Sequence, residues 1–149
     1  MGVTLGKLAP DFTLPGDRGS ITLSAYRGKT NVLLAFYPGD FTPVCTSEMQ
    51  CFAQDWKEFR GLGCEILGIS ADPIDKHREF ARQLRLEFPL LSDRDRRVSR
   101  LYGVDSVLGT RRAYFAVDRE GVLRYQHVEF LPLFKRDDAE LLSVLRGLK

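Results

Sequence analysis

Three continuous apolar runs, separated by stretches of helical periodicity, constrain the fold of this chain more than any other feature. Asn31 to Tyr37 (NVLLAFY), Cys64 to Ser70 (CEILGIS) and Ala113 to Val117 (AYFAV) are rich in strand formers. Runs of this kind suit strands buried on both faces, which need layers packed above and below them. Helical patterns fill the spaces: Pro43 to Phe59, Ile74 to Leu86, a short Arg97 to Tyr102, and Asp137 to Leu148. In the last of these, Leu141, Leu142, Val144, Leu145 and Leu148 fall on or near one side. Pro10, Pro15, Gly16 and Gly19 break the segment before Gly28 into a small hairpin or extended lead-in. Asp118-Arg119-Glu120-Gly121 reads as a turn between two late strands, with Gly121 free to take positive φ. The expected fold class is α/β: a mixed central sheet flanked by helices, in one domain over 1–149 with no linker or repeat.

Composition narrows the class of function. A chain of 149 residues, 44% hydrophobic and 28% charged, has the makeup of a globular domain with a sizeable core. Its formal charge is only +2, and Arg94-Asp95-Arg96-Arg97 and Arg111-Arg112 are short clusters. Neither is a track for a phosphate backbone, so nucleic acid is not an expected partner. The start, Met1 to Lys7, lacks the basic and apolar regions of a signal peptide, and no apolar stretch approaches membrane length. A cytoplasmic protein without a membrane partner is the expectation. Cys45, Cys51 and Cys64 cannot all pair within one chain. In a reducing compartment they read as catalytic, regulatory or buried thiols.

The informative segment is Phe36 to Phe52, FYPGDFTPVCTSEMQCF. A buried strand ends, a turn follows, and a helix begins with Thr42 as N-cap, Pro43 at its first position and Cys45 at its third. In that first turn the sulfur lies near unpaired backbone N–H groups and the positive end of the helix dipole, which stabilise a thiolate. The end of a central strand is also where α/β sheets place their chemistry. By position alone Cys45 reads equally as a small buried hydrophobe.

Pro38-Gly39-Asp40-Phe41-Thr42-Pro43-Val44-Cys45 resembles the Pro-x-x-x-Thr-x-x-Cys signature of the peroxiredoxins. The resemblance continues in order along the chain through Leu8 to Leu14, Cys45 to Glu48, Gly68 to Asp72, Phe88 to Asp93, Tyr102 to Val104 and Arg112 to Gly121. It implies a thioredoxin-like fold and a thiol-dependent peroxidase that reduces hydrogen peroxide or alkyl hydroperoxides. It also makes Cys45 the attacking thiolate and Arg112 the cation beside it. Charge moves from sulfur to the leaving oxygen during attack, and a guanidinium stays charged while donating several hydrogen bonds. Thr42 can bond sulfur or peroxide as well as cap the helix. Pro38 offers a rigid ring without an N–H, either to shield the sulfur or to end the strand. Glu48, three residues after Cys45, lies near the same helix face, either holding an arginine or exposed in the first turn.

Segment Glu48 to Phe52 resembles the bacterioferritin comigratory protein (peroxiredoxin Q) group, in which a resolving cysteine often follows five residues after the reactive one. Here Gln50 holds that place and Cys51 comes one later. Six helical residues separate Cys45 and Cys51 by about 9 Å along the axis and about 240° around it. A disulfide needs Cα atoms within about 7 Å, so the pair can join only if the helix unwinds. Resolution by an external thiol, as in one-cysteine peroxiredoxins, is the competing mechanism, and the short Tyr102 to Arg112 connection also resembles those relatives. The expected reductant is a thioredoxin-like protein or a low-molecular-weight thiol, with no cofactor, in a monomer or homodimer. Cys64 reads as core. A thioredoxin-like disulfide reductase would want Cys-x-x-Cys, where this chain has Cys45-Thr46-Ser47-Glu48. A non-enzymatic peroxide sensor would use the same sulfenate. The spacing of Cys45, Cys51, Cys64, His77 and His127 fits no zinc pattern.

Overall fold

The structure is a computed structural model, and it describes residues 3–40, 43–107, 109–129 and 138–148. After a short antiparallel pair, β1 (Thr13–Leu14) and β2 (Ile21–Thr22), the chain enters β3 (Asn31–Phe36). Then follow α1 (Pro43–Gly61), β4 (Cys64–Ser70), α2 (Ile74–Leu84), β5 (Leu90–Ser92) and α3 (Arg97–Leu101). A small ribbon of β6 (Asp105–Ser106) and β7 (Gly109–Thr110) leads into β8 (Ala113–Val117), β9 (Leu123–Val128) and α4 (Asp138–Arg146).

The main sheet has the order β5-β4-β3-β8-β9, with β3 at its centre. β3 runs parallel to β4 and antiparallel to β8, so the sheet is mixed, as the sequence predicts. Its continuous apolar strands are explained by two cores. Leu33, Ala35 and Tyr37 face one side, where α1, α2 and α4 contribute Met49, Phe52, Trp56, Phe80, Leu141, Leu142 and Leu145. Val32, Leu34 and Phe36 face the other, packed with Phe12, Leu23, Val98, Tyr102 and Phe115. Val32 to Phe36 are therefore all buried, and polar residues in that stretch would have no solvated face to occupy.

The differences from the sequence reading lie at element ends. α2 stops at Leu84 rather than Leu86 because Arg85 turns left-handed (φ 54°) and gives its N–H to the carbonyls of Ala81 and Arg82. α1 continues two residues past Phe59. Gly63 follows with φ 69° and turns the chain into β4. The late turn is as predicted, with Gly121 at φ 86° and its N–H on Asp118 O. β5 and the β6–β7 ribbon have no clear sequence signal, being two or three residues long. Among the described residues no helix is long and apolar enough to cross a membrane.

Candidate active site

α1 opens at Pro43 and Cys45 is its third residue, as the capping signals predict. Thr42, and with it the proposed cap and hydroxyl donor, lies outside the described residues. Cys45 points into the core between α1 and the sheet and is fully buried. Pro38 is exposed at a bend just beyond Tyr37.

The register of the sheet brings Arg112 to the sulfur. Ala113 pairs with Phe36, the last residue of β3, so the residue before β8 lies beside the carboxyl end of β3. There Arg112, 1% exposed, donates from Nη2 to Cys45 Sγ at 3.2 Å. Its Nη1 donates to Glu48 Oε1 at 2.9 Å, and Glu48 is equally buried. Tyr114 Oη donates to Glu48 Oε2. One arginine thus touches both the sulfur and a carboxylate, and the carboxylate is steadied from its far side by a phenol. Burial pushes the guanidinium toward losing its proton, but the negative charges of Glu48 and Cys45 outweigh it and hold the Arg112 pKa above its ordinary value. The cation stays a cation.

Tyr114 is the member that sequence reasoning missed. It alternates with Ala116 on the face of β8 that meets α1, and that period-two position was the available signal. Tyr37, Asp40 and His77, a second buried network just before α1, were missed as well.

The cysteines separate by environment. All three are free thiols. Cys51 is half-buried on an α1 that runs unbroken from Cys45 to Gly61, about 9 Å further along the axis. Cys64 begins β4, 1% exposed, and its Sγ donates to Glu65 O at 3.4 Å. Burial raises its pKa to about 12. At about pH 8 its thiolate is then on the order of 10⁻⁴ of the population. Alkylation of the native protein followed by peptide mapping should leave Cys64 unlabelled until the chain is unfolded. Rapid native labelling would show that the strand opens.

Comparison with known proteins places this geometry in a family. Residues 5–126 match the AhpC/TSA family. The chain is 37% identical to peroxiredoxin 2 of Thermoplasma acidophilum over 97% of its own length and 76% of that protein's. It is 39% identical to a putative peroxiredoxin bcp of Coxiella burnetii, covering 83% of this chain and 87% of that one. The solved structure of peroxidoxin BcpB from Mycobacterium tuberculosis superposes with a TM-score of 0.88 at 31% identity, covering 99% of each chain. The likeness in structure agrees with the thioredoxin-like α/β fold expected from the sequence.

Proposed function

Since the chain belongs to the peroxiredoxins of the AhpC/TSA family and is a thiol-dependent peroxidase, we propose that its reaction runs through Cys45, with Arg112, Glu48 and Thr42 as the surrounding machinery. The observation that carries this assignment is the 3.2 Å contact between a buried guanidinium and the sulfur at the start of α1. A fixed cation there favours the thiolate and remains in place as charge moves off sulfur.

In the proposed step the thiolate attacks one peroxide oxygen. An S–O bond forms and the O–O bond breaks. The departing oxygen carries the electron pair, takes a proton and leaves as water or an alcohol, and sulfur becomes a sulfenic acid. Arg112 reaches the sulfur through Nη2 while Glu48 fixes the plane of its guanidinium through Nη1. Thr42 supplies a hydroxyl to the sulfur or the peroxide. Of the two readings of Pro38, a rigid strand-ending turn is the one its exposed position supports.

The sulfenic acid is then condensed with a second thiol, releasing water and leaving a disulfide for the reductant to open. Continuity of α1 favours an external thiol, from a thioredoxin-like protein or a small molecule, over Cys51. Unwinding α1 by a turn or two through Cys51 would give up the burial of Met49 and of Phe52, the residue after Cys51, both fully buried. Each such burial is worth about 1.5–3 kcal/mol, and each forfeited helix hydrogen bond about 1 kcal/mol. An external thiol needs only a path to Cys45. Treatment of wild type and Cys51→Ser with one equivalent of peroxide, followed by cysteine mapping, checks this. Equal turnover of the two proteins with a small-thiol reductant is expected. A Cys45–Cys51 bond in wild type, with rapid overoxidation of the variant, would reverse the order of preference.

A further inference from the structure

α2 directs one fully buried side chain at the base of the active-site loop. His77 and Asp40 are both inaccessible, and His77 Nδ1 lies 2.7 Å from Asp40 Oδ2. The other ring nitrogen, Nε2, lies 3.0 Å from the Leu91 carbonyl oxygen. A carbonyl can only accept, so Nε2 carries a hydrogen. A second proton must then lie between Nδ1 and Oδ2. The pair is neutral overall whether that proton rests on the ring or on the carboxyl, which avoids an uncompensated buried charge.

The other carboxyl oxygen and the backbone N–H of Asp40 are also engaged. Oδ1 accepts from Tyr37 Oη at 2.6 Å, and the Asp40 N–H donates to Asp72 Oδ2 at 2.7 Å. Asp72 is itself fixed, by Ser70 Oγ at 2.7 Å and Lys76 Nζ at 3.1 Å. Burial pushes the Asp72 carboxyl up, but the hydrogen bonds from Ser70 and Asp40, with Lys76, outweigh it and hold the pKa below its ordinary value. Gly68 completes the arrangement, because a Cβ there would stand 2.7 Å from Leu90 Cδ2 and 3.5 Å from the Tyr37 ring. Asp40 is thus gripped from the end of β3, the turn after β4 and α2. It stands five residues before Cys45, on the segment joining β3 to α1. The ligand-type atoms of Asp40, Asp72 and His77 lie within 4.8 Å of one another. The shared proton and the Asp40 N–H already join them, so hydrogen bonding accounts for the cluster.

We propose that Asp40 and His77 are positioning residues for Cys45: their buried proton-sharing pair fixes the chain at Asp40, five residues before Cys45, and so sets the sulfur at its bonding distance from Arg112. The inference rests on Cys45 as the reacting thiol. A displacement of about 1 Å at a reacting centre can cost a hundredfold in rate, and Asp40 is five residues from Cys45 along the chain.

The test measures the second-order rate of peroxide reduction together with the thermal unfolding midpoint and near-UV circular dichroism. Asp40→Ala and His77→Ala are expected to keep native dichroism and react about ten to a hundred times more slowly. Asp40→Asn should stay within about threefold of wild type, because neutral His77 can accept at Nδ1 from the new amide while its carbonyl still accepts from Tyr37. That rescue separates positioning from a role of charge. Wild-type rates in folded Asp40→Ala and His77→Ala would overturn the proposal, as would an Asp40→Asn rate as low as that of Asp40→Ala. If the alanine variants do not fold, Tyr37→Phe decides, since it removes one bond to Asp40. A several-fold slower rate supports the anchor and an unchanged rate overturns it. Cys45→Ser measured alongside distinguishes the two readings, because full activity there would refute the cysteine assignment itself.

Discussion

Replacing Cys45 by serine should reduce peroxide turnover to about a thousandth or less of wild type, the scale of losing a nucleophile outright. The change is nearly isosteric at a fully buried position. The new hydroxyl would still meet a donor, because Arg112 Nη2 lies 3.2 Å from the present sulfur. The fold should therefore survive, with a stability change of about 1–2 kcal/mol at most. What is lost is ionisation, because an alcohol stays protonated near neutral pH even beside a cation. Direct measurement of peroxide loss, with dichroism to verify folding, checks the expectation. Near-normal rates in the serine variant would place the chemistry at another residue.

Removing Arg112 should be nearly as damaging and needs a paired design. Arg112→Ala is expected to lower the second-order rate about ten- to a thousandfold, the range for losing one charged stabiliser. It should also slow alkylation of Cys45 at neutral pH. The same change leaves Glu48 buried without its cation, and orphaning one partner of a buried pair costs about 3–5 kcal/mol. Slow turnover in the single variant could then reflect a loosened fold. Adding Glu48→Gln removes the orphaned charge and keeps an acceptor for the Tyr114 hydroxyl. The double variant should regain stability while its rate stays low. Recovery of both together would show that Arg112 acts through packing alone, and wild-type alkylation of Cys45 in Arg112→Ala would remove it from the site.

Both experiments also bear on the competing readings. A disulfide reductase would need a second cysteine within a turn of Cys45, and Cys51 sits nearly two turns away on an unbroken helix. A peroxide sensor would share the sulfenic acid but would not consume peroxide repeatedly when a reductant is supplied.

Local physics explains what could be read from the sequence by itself. Continuous apolar runs identified β3, β4 and β8, because strands covered on both faces admit few polar residues. Pro43 marked the start of α1 and put Cys45 in its first turn, since a residue without an N–H loses nothing there. Leu141, Leu142 and Leu145 reported the inward face of α4 through their spacing. These signals act over one or two turns of chain, so they survive in one dimension. The partners of Cys45 do not follow from such signals. Arg112 lies 67 residues away, and its likeness to a family motif named it without showing what it touches. The pairing of Ala113 with Phe36 decided that, because the antiparallel register of β8 on β3 carries the residue before β8 to the end of β3. Glu48 was ambiguous in sequence between an exposed and a paired carboxylate. Packing of α1 onto the sheet buried it between Arg112 and Tyr114, neither of which is near it in the chain. His77 looked like an ordinary residue, and only the placement of α2 beside Asp40, just beyond the end of β3, joined the two. Hydrogen bonds across such separations depend on strand order and register, and on which helix face meets which strand, so they exist only once the chain has folded.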